Sequence, residues 1–197
     1  FNKIKVLFSL LLALSGFATS AQENEVIVLT DKKELRLIGK EIFFLEDEDA
    51  NLTILDIQSD EYQKKFSRHN KTVYTHQASR TAVWFKITLQ NQTGEDVWLE
   101  VGGHAIWYID FYRPDENTAL YSNPVQTGGL RPDENKEYPS NFYWLKLANA
   151  EDQKIKTSYV RLTPGLQQEY PLQAGTLLAL TENKRGYDFL TAGFVGL

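Results

Sequence analysis

Three histidines, one dense acidic stretch and a set of aromatics with one arginine carry most of the reactive chemistry in this sequence. His69, His76 and His104 fall in no metal-ligand spacing such as H-E-x-x-H, so they read as surface residues. Glu46-Asp47-Glu48-Asp49 offers oxygens to a hard cation such as calcium. It lacks the Asp-x-Asp-x-Asp-Gly order of a calcium loop, so a solvated turn is expected and no metal site is assigned. No G-x-S-x-G elbow and no phosphate loop is present. Gly102-Gly103 and Gly128-Gly129 read as turns. Carboxylates that cleave glycosides are defined by their separation in space, which a sequence with 26 acids does not reveal. The expectation is a non-catalytic chain that needs no cofactor.

Binding has more support than catalysis. In the alternating runs described below, one parity is aliphatic, and the other carries Trp84, Trp98, Tyr108, Tyr112, Tyr159 and Arg161. Exposing several tryptophans costs solubility, while flat rings stack on the apolar faces of sugars. A guanidinium forks onto a carboxylate or a pair of hydroxyls. Trp84, Trp98, Tyr159 and Arg161 are therefore the expected ligand-binding residues. The opposing reading is packing. Large aromatics fill the edges of sandwich cores, a loop such as 113–139 could cover the face, and Arg161 could be the structural partner of an acid. Trp107 and Trp144 are assigned to loop packing.

These residues need strands to position them. Val83, Phe85, Ile87 and Leu89 alternate with Trp84, Lys86, Thr88 and Gln90, and Asn91-Gln92-Thr93-Gly94 supplies turn residues. Val97, Leu99 and Val101 alternate with Trp98 and Glu100, so the two runs suggest a hairpin or meander. Further runs occur at 26–29, 36–38, 42–45, 108–112, 142–147, 157–162 and 177–180. Residues 53–66 are the best helical segment, and 113–139 is loop-rich. About eight strands with turns between them favour an all-β, jelly-roll-like sandwich with one short helix.

The bulk properties fit. The chain has 197 residues, 42% of them apolar, 13% aromatic and none of them cysteine, so disulfide, thiolate-metal and cysteine-nucleophile chemistry are excluded. A net charge of −5 argues against a nucleic-acid partner. Lys3 and Lys5, an apolar run from Val6 to Phe17 and small residues up to Ala21 have the layout of a signal peptide at 1–21. That implies an exported, extracytoplasmic domain over 22–183. The uncharged end from Phe189 suggests that 184–197 begins a transmembrane region, and the absence of Met suggests a fragment of a longer protein.

Several segments together resemble a known family. They are Glu41-Ile-Phe-Phe-Leu-Glu-Asp47, Thr53-Ile-Leu-Asp-Ile57, Ala82-Val-Trp-Phe-Lys-Ile-Thr-Leu-Gln-Asn91, Val97-Trp-Leu-Glu-Val101, Ile109-Asp-Phe-Tyr112 and Thr157-Ser-Tyr-Val-Arg-Leu162. This series resembles the 7TMR-DISM extracellular 2 family, the sensor domain of bacterial seven-transmembrane receptors with diverse intracellular signalling modules. The resemblance covers about 26–182. It implies a jelly-roll module, similar to carbohydrate-binding domains, held in the periplasm ahead of seven membrane helices. The implied partners are a small-molecule or carbohydrate ligand, the membrane through those helices, and a second copy in a homodimer. The alternative is a free secreted carbohydrate-binding or adhesion module with no signalling role.

Overall fold

Strands that alternate apolar and polar residues bury one face each, so two sheets packed face to face solve the problem for both. The computed structural model describes residues 25–76, 81–102, 106–116, 118–121, 123–165 and 168–184. The expected signal peptide, His104 and, apart from Lys184, the expected membrane entry at 184–197 lie outside those residues. In chain order the elements are β1 (Ile27–Leu29), β2 (Leu35–Leu37), β3 (Phe43–Asp47), α1 (Ile54–Gln58), α2 (Asp60–Gln63), β4 (Ser67–Arg68), β5 (Tyr74–His76), β6 (Ala82–Asn91), β7 (Val97–Val101), β8 (Ile106–Tyr112), β9 (Val125–Thr127), a 3-10 turn (Asp133–Asn135), β10 (Tyr143–Ala148), β11 (Ile155–Pro164), β12 (Gln168–Tyr170) and β13 (Leu172–Thr176). A helix, α3, follows at 177–184.

The larger sheet has the order β4-β3-β6-β11-β8-β9, with β1 also paired to β6. β3 lies along residues 82–86 of β6, and β1 lies parallel to residues 89–91. The smaller sheet has the order β10-β7-β13-β2, and β5 pairs with β12 separately. The chain crosses directly from one main sheet to the other at β1–β2, β2–β3, β6–β7, β7–β8, β9–β10 and β10–β11. This is an all-β sandwich of the jelly-roll kind, as the sequence pattern predicts. The count rises from about eight to thirteen because β4, β5, β9 and β12 are too short to show a period, and β13, Leu-Gln-Ala-Gly-Thr, has only one large apolar residue.

The interior is the aliphatic parity. Val83, Phe85, Ile87 and Leu89 of β6 meet Val97, Leu99 and Val101 of β7, and Ile109, Phe111, Val160 and Leu162 complete the layer. Each fully buried side chain of this size contributes about 1.5–3 kcal/mol relative to an exposed one.

Three expectations change. β6 and β7 do not form a hairpin; they lie in opposite sheets. Alternation and a turn sequence look the same whether the chain folds back or rounds a corner. Here Asn91 settles it, being fully buried: its Nδ2 donates to the carbonyls of Glu95 (2.8 Å) and Asn149 (2.9 Å), and its Oδ1 accepts from the N–H and hydroxyl of Thr93. Residues 177–180 are helical rather than a strand, because Thr176 Oγ1 accepts the Ala179 N–H at 3.2 Å and caps a helix start. The helical segment at 53–66 is two short helices, each begun by its own cap, Thr53 and Ser59. Gly102, which follows β7, is required for close approach: a Cβ there would lie 2.6 Å from the Pro171 ring.

Replacing Asn91 with Ala removes four bonds at a corner shared by both sheets. The expected loss is about 3 kcal/mol of unfolding free energy, read from urea denaturation, with the secondary structure unchanged by circular dichroism.

Candidate functional site

The outer face of the larger sheet holds three of the four residues expected to bind ligand. Register sets them side by side: Arg161 of β11 lies opposite Trp84 of β6 and Asp110 of β8, and Tyr159 lies opposite Lys86 and Tyr112. The face is closed rather than open. Trp84 is fully buried and Tyr159 is 5% exposed, packed with Phe43, Leu45, Ile57 and Phe66 beneath α1 and α2. The loop residue Tyr121 closes the side, its ring 5.2 Å from that of Tyr159 and its hydroxyl donating to the Thr157 carbonyl. Trp98 is elsewhere, on the outer face of the smaller sheet with Trp144 and Leu180. The four residues therefore do not form one binding face. For Trp84, Tyr159 and Arg161, ligand contact would require the covering helices to lift.

Arg161 sits within a buried ion network. Its Nη2 donates to the Ala50 carbonyl at 2.6 Å, its Nη1 is 3.5 Å from Asp110 and its Nε is 3.8 Å from Asp47. Trp84 Nε1 also donates to Asp47, and Asp110 accepts from Arg131 (2.7 Å) and Gln126. Asp47 itself accepts the N–H groups of Asn51 and Leu52. The acidic stretch at 46–49 is thus not simply a solvated turn: Asp47 is 2% exposed and organises the chain that leads into α1. Among the described residues no group of acids and histidines is arranged to hold a metal ion.

Lys86 is the other buried cation of this face. It donates to the Gln63 amide oxygen at 2.7 Å, and burial holds its amine below the usual lysine range. Gln63 in turn donates to the Ile57 carbonyl and the Tyr159 hydroxyl, which pins α2 to the sheet.

Two histidines read as surface residues are in fact buried. His69 bonds the Gly39 carbonyl through Nδ1 and stacks edge-on against Phe44. His76 packs near Tyr74 and approaches the Thr81 hydroxyl. Both sit on short strands or loops whose burial has no periodic signal. Trp144 is likewise a buried strand residue rather than loop packing, and donates to Glu100 at 2.8 Å. Trp107 belongs to β8 and is 42% exposed.

A concave surface lies at the end of the sandwich where β7, β10 and β11 meet their connecting loops. A groove of about 960 Å³ runs between the 114–121 loop and residues 146–157, and a second of about 760 Å³ adjoins it. The two share Pro114, Asp115, Glu116, Lys146, Asn149 and Lys156, and Trp98 lines the second. Three ion pairs lie in this lining, beside the charged side chains of Asp115, Glu116, Glu151 and Lys154. Lys146 pairs with Asp96 at 2.7 Å, Lys156 with Asp152, and Arg113 with Glu137. Burial alone would raise Asp96 and Asp152, but hydrogen bonds from Lys146 and Lys156 and from backbone N–H groups outweigh it and hold both below the usual carboxylate range. Tyr121, Pro114 and Ala150 give the groove apolar surface beside these pairs. Sequence reading missed it because its walls come from loops with no period.

Replacing Arg161 with Met leaves Asp47 buried without its cation while Asp110 keeps Arg131, with an expected loss of about 3–5 kcal/mol in urea denaturation. His76 gives a pH dependence. Burial lowers its pKa from the usual 6.5, partly offset by Glu46. The unfolded chain therefore takes up this proton at a higher pH than the folded one, and stability falls as pH drops through 6.5 toward the folded value. In thermal melts, the stability advantage of the native protein over a His76→Gln variant should shrink as pH is lowered from about 7 to about 5.

A family model for the 7TMR-DISM extracellular 2 domain matches residues 39–176, which is more than half of the chain. No curated protein matches it. The matched span runs from the turn before β3 to the last residue of β13, and so includes both covering helices, the buried ion network and the end groove. The chain belongs to the 7TMR-DISM extracellular 2 family, the extracellular domains of seven-transmembrane receptors.

Proposed function

We propose that this domain is the periplasmic, non-catalytic ligand-sensing part of a bacterial seven-transmembrane receptor, and that it binds a carbohydrate in the end groove. The family match carries the receptor reading. The chemistry of the groove supports the ligand class. Three of its cations are already paired with acids, and Asp115, Glu116 and Glu151 add carboxylate acceptors, so it offers hydrogen-bond partners of both kinds. A hydroxyl-rich, neutral molecule suits such a surface, and Tyr121 and Pro114 provide apolar area for sugar faces. Asp96 and Asp152, held below the usual carboxylate range, are poor candidates for the general acid that glycoside cleavage needs. No cofactor is invoked. Ligand binding, or a rearrangement between two copies in a homodimer, would bias the membrane helices by favouring one of two receptor states.

A glycan array probed with the full chain tests this, with cell-wall sugars included. The expected result is a defined set of bound glycans whose affinity drops at least about tenfold, or 1.4 kcal/mol, in Lys146→Ala and Asn149→Ala. Equal binding by wild type and both variants would move the site out of the groove. Hydrolysis of a bound glycan would replace the non-catalytic reading.

A further inference from the structure

We infer that α3 is a releasable latch on the smaller sheet, and that the end groove controls it through Lys146 and Trp98. This inference rests on the reading of the groove as the ligand site. α3 is held at three points. Thr176 caps its start and also donates to the Lys32 carbonyl. Leu180, fully buried, packs with Trp98 and Trp144. Lys184 donates to Glu100 at 2.9 Å and lies 3.9 Å from the Phe142 ring.

Glu100 makes the latch two-state. It is 2% exposed, one oxygen accepting from Trp144 and the other from Lys184. When α3 leaves, the carboxylate keeps the indole and loses its cation, so an intermediate position satisfies nothing. The docked state also carries a cost: Trp98 Nε1–H is buried with no acceptor among the described residues. Release exposes Leu180 and leaves Glu100 without its cation, so the docked state is held by specific groups rather than by general packing.

The groove reaches this latch directly. Lys146 lines both grooves, pairs with Asp96, and places its ammonium 5.2 Å from the Trp98 ring centre. Trp98 packs edge-on against Tyr138, and Tyr138 against Trp144, which completes a path of contacts to Glu100. A ligand that engages Lys146 competes with Asp96 and with the Trp98 ring, and so alters the surface on which Leu180 rests. Reciprocity requires that undocking α3 change ligand affinity by the same factor.

Hydrogen exchange on the full chain tests the coupling without a ligand, by comparing wild type, Lys146→Ala, Glu100→Gln and Lys154→Ala. Lys154 lines the first groove but is not placed over the Trp98 ring. Amides of 177–184 should exchange at least about fivefold faster in Lys146→Ala and Glu100→Gln, the lower end of usual coupling between sites, and at the wild-type rate in Lys154→Ala. Unchanged exchange in Lys146→Ala or in Glu100→Gln overturns the latch, as does an equal rise in Lys154→Ala. The two readings fail separately. An empty glycan array with the expected exchange pattern removes the carbohydrate and keeps the latch, and bound glycans with flat exchange do the reverse.

Discussion

β6 and β11 are central strands of the larger sheet; β6 is buried on both faces over nearly its whole length and β11 over Ser158–Val160. One face meets the smaller sheet. The other has no sheet to meet, so irregular chain must cover it, and irregular chain brings backbone groups that need partners. Asp47 meets that need. One carboxylate takes the N–H groups of Asn51 and Leu52 and the Trp84 indole, while the turn between it and α1 presents the Ala50 carbonyl to Arg161. Ala50 adopts a φ of 52° to do so, a left-handed conformation that costs an L-residue about 1–2 kcal/mol. The cover is thus bonded to the sheet at one end by Asp47 and Arg161, and at the other by Gln63.

The magnitudes separate two kinds of ion pair. Arg161 and Arg131 hold Asp47 and Asp110 in a largely dehydrated layer, where removing one partner strands a charge at a cost of about 3–5 kcal/mol. Lys146 and Asp96, about a third exposed, form a pair worth roughly 1 kcal/mol or less. A weakly bound ligand can exchange with the second kind and cannot disturb the first. This contrast is what favours the end of the sandwich over the aromatic layer under α1 and α2 in the proposed function. Arg161 is well suited to grip a carboxylate, and the carboxylates it grips are the protein's own.

What the sequence disclosed follows from this division. The aliphatic parity of β6, β7, β8 and β11 was legible because a two-residue period survives whichever sheet a strand joins. The aromatic parity was legible as a pattern, but its meaning was not. Trp84 reads the same facing a sugar or facing Ile57, and only the position of a segment some thirty residues earlier decides between them. The β6–β7 corner was hidden for a related reason: Asn91 and Gly94 suit a hairpin, and the bond from Asn91 to Asn149 that makes it a corner spans 58 residues. Buried His69 and His76 were illegible because their strands are too short to carry a period. The end groove left no mark because loops assemble it from four separate stretches.

α3 shows how local and tertiary terms combine. The run Leu177-Leu-Ala-Leu180 is compatible with strand or helix, and the Thr176 cap tips it to helix. Isolated helices below about 12–15 residues are marginal in water, so the described part of α3 does not owe its order to propensity. Its order comes from Leu180 in the tryptophan cluster and from Lys184 on Glu100. Under the latch inference, helicity and docking of this segment are a single equilibrium. The family match ends at Thr176, the residue that caps α3. Under the receptor reading, a conformational signal leaving the sandwich along the chain would pass through α3, whose described contacts are all with the smaller sheet and its flanking residues.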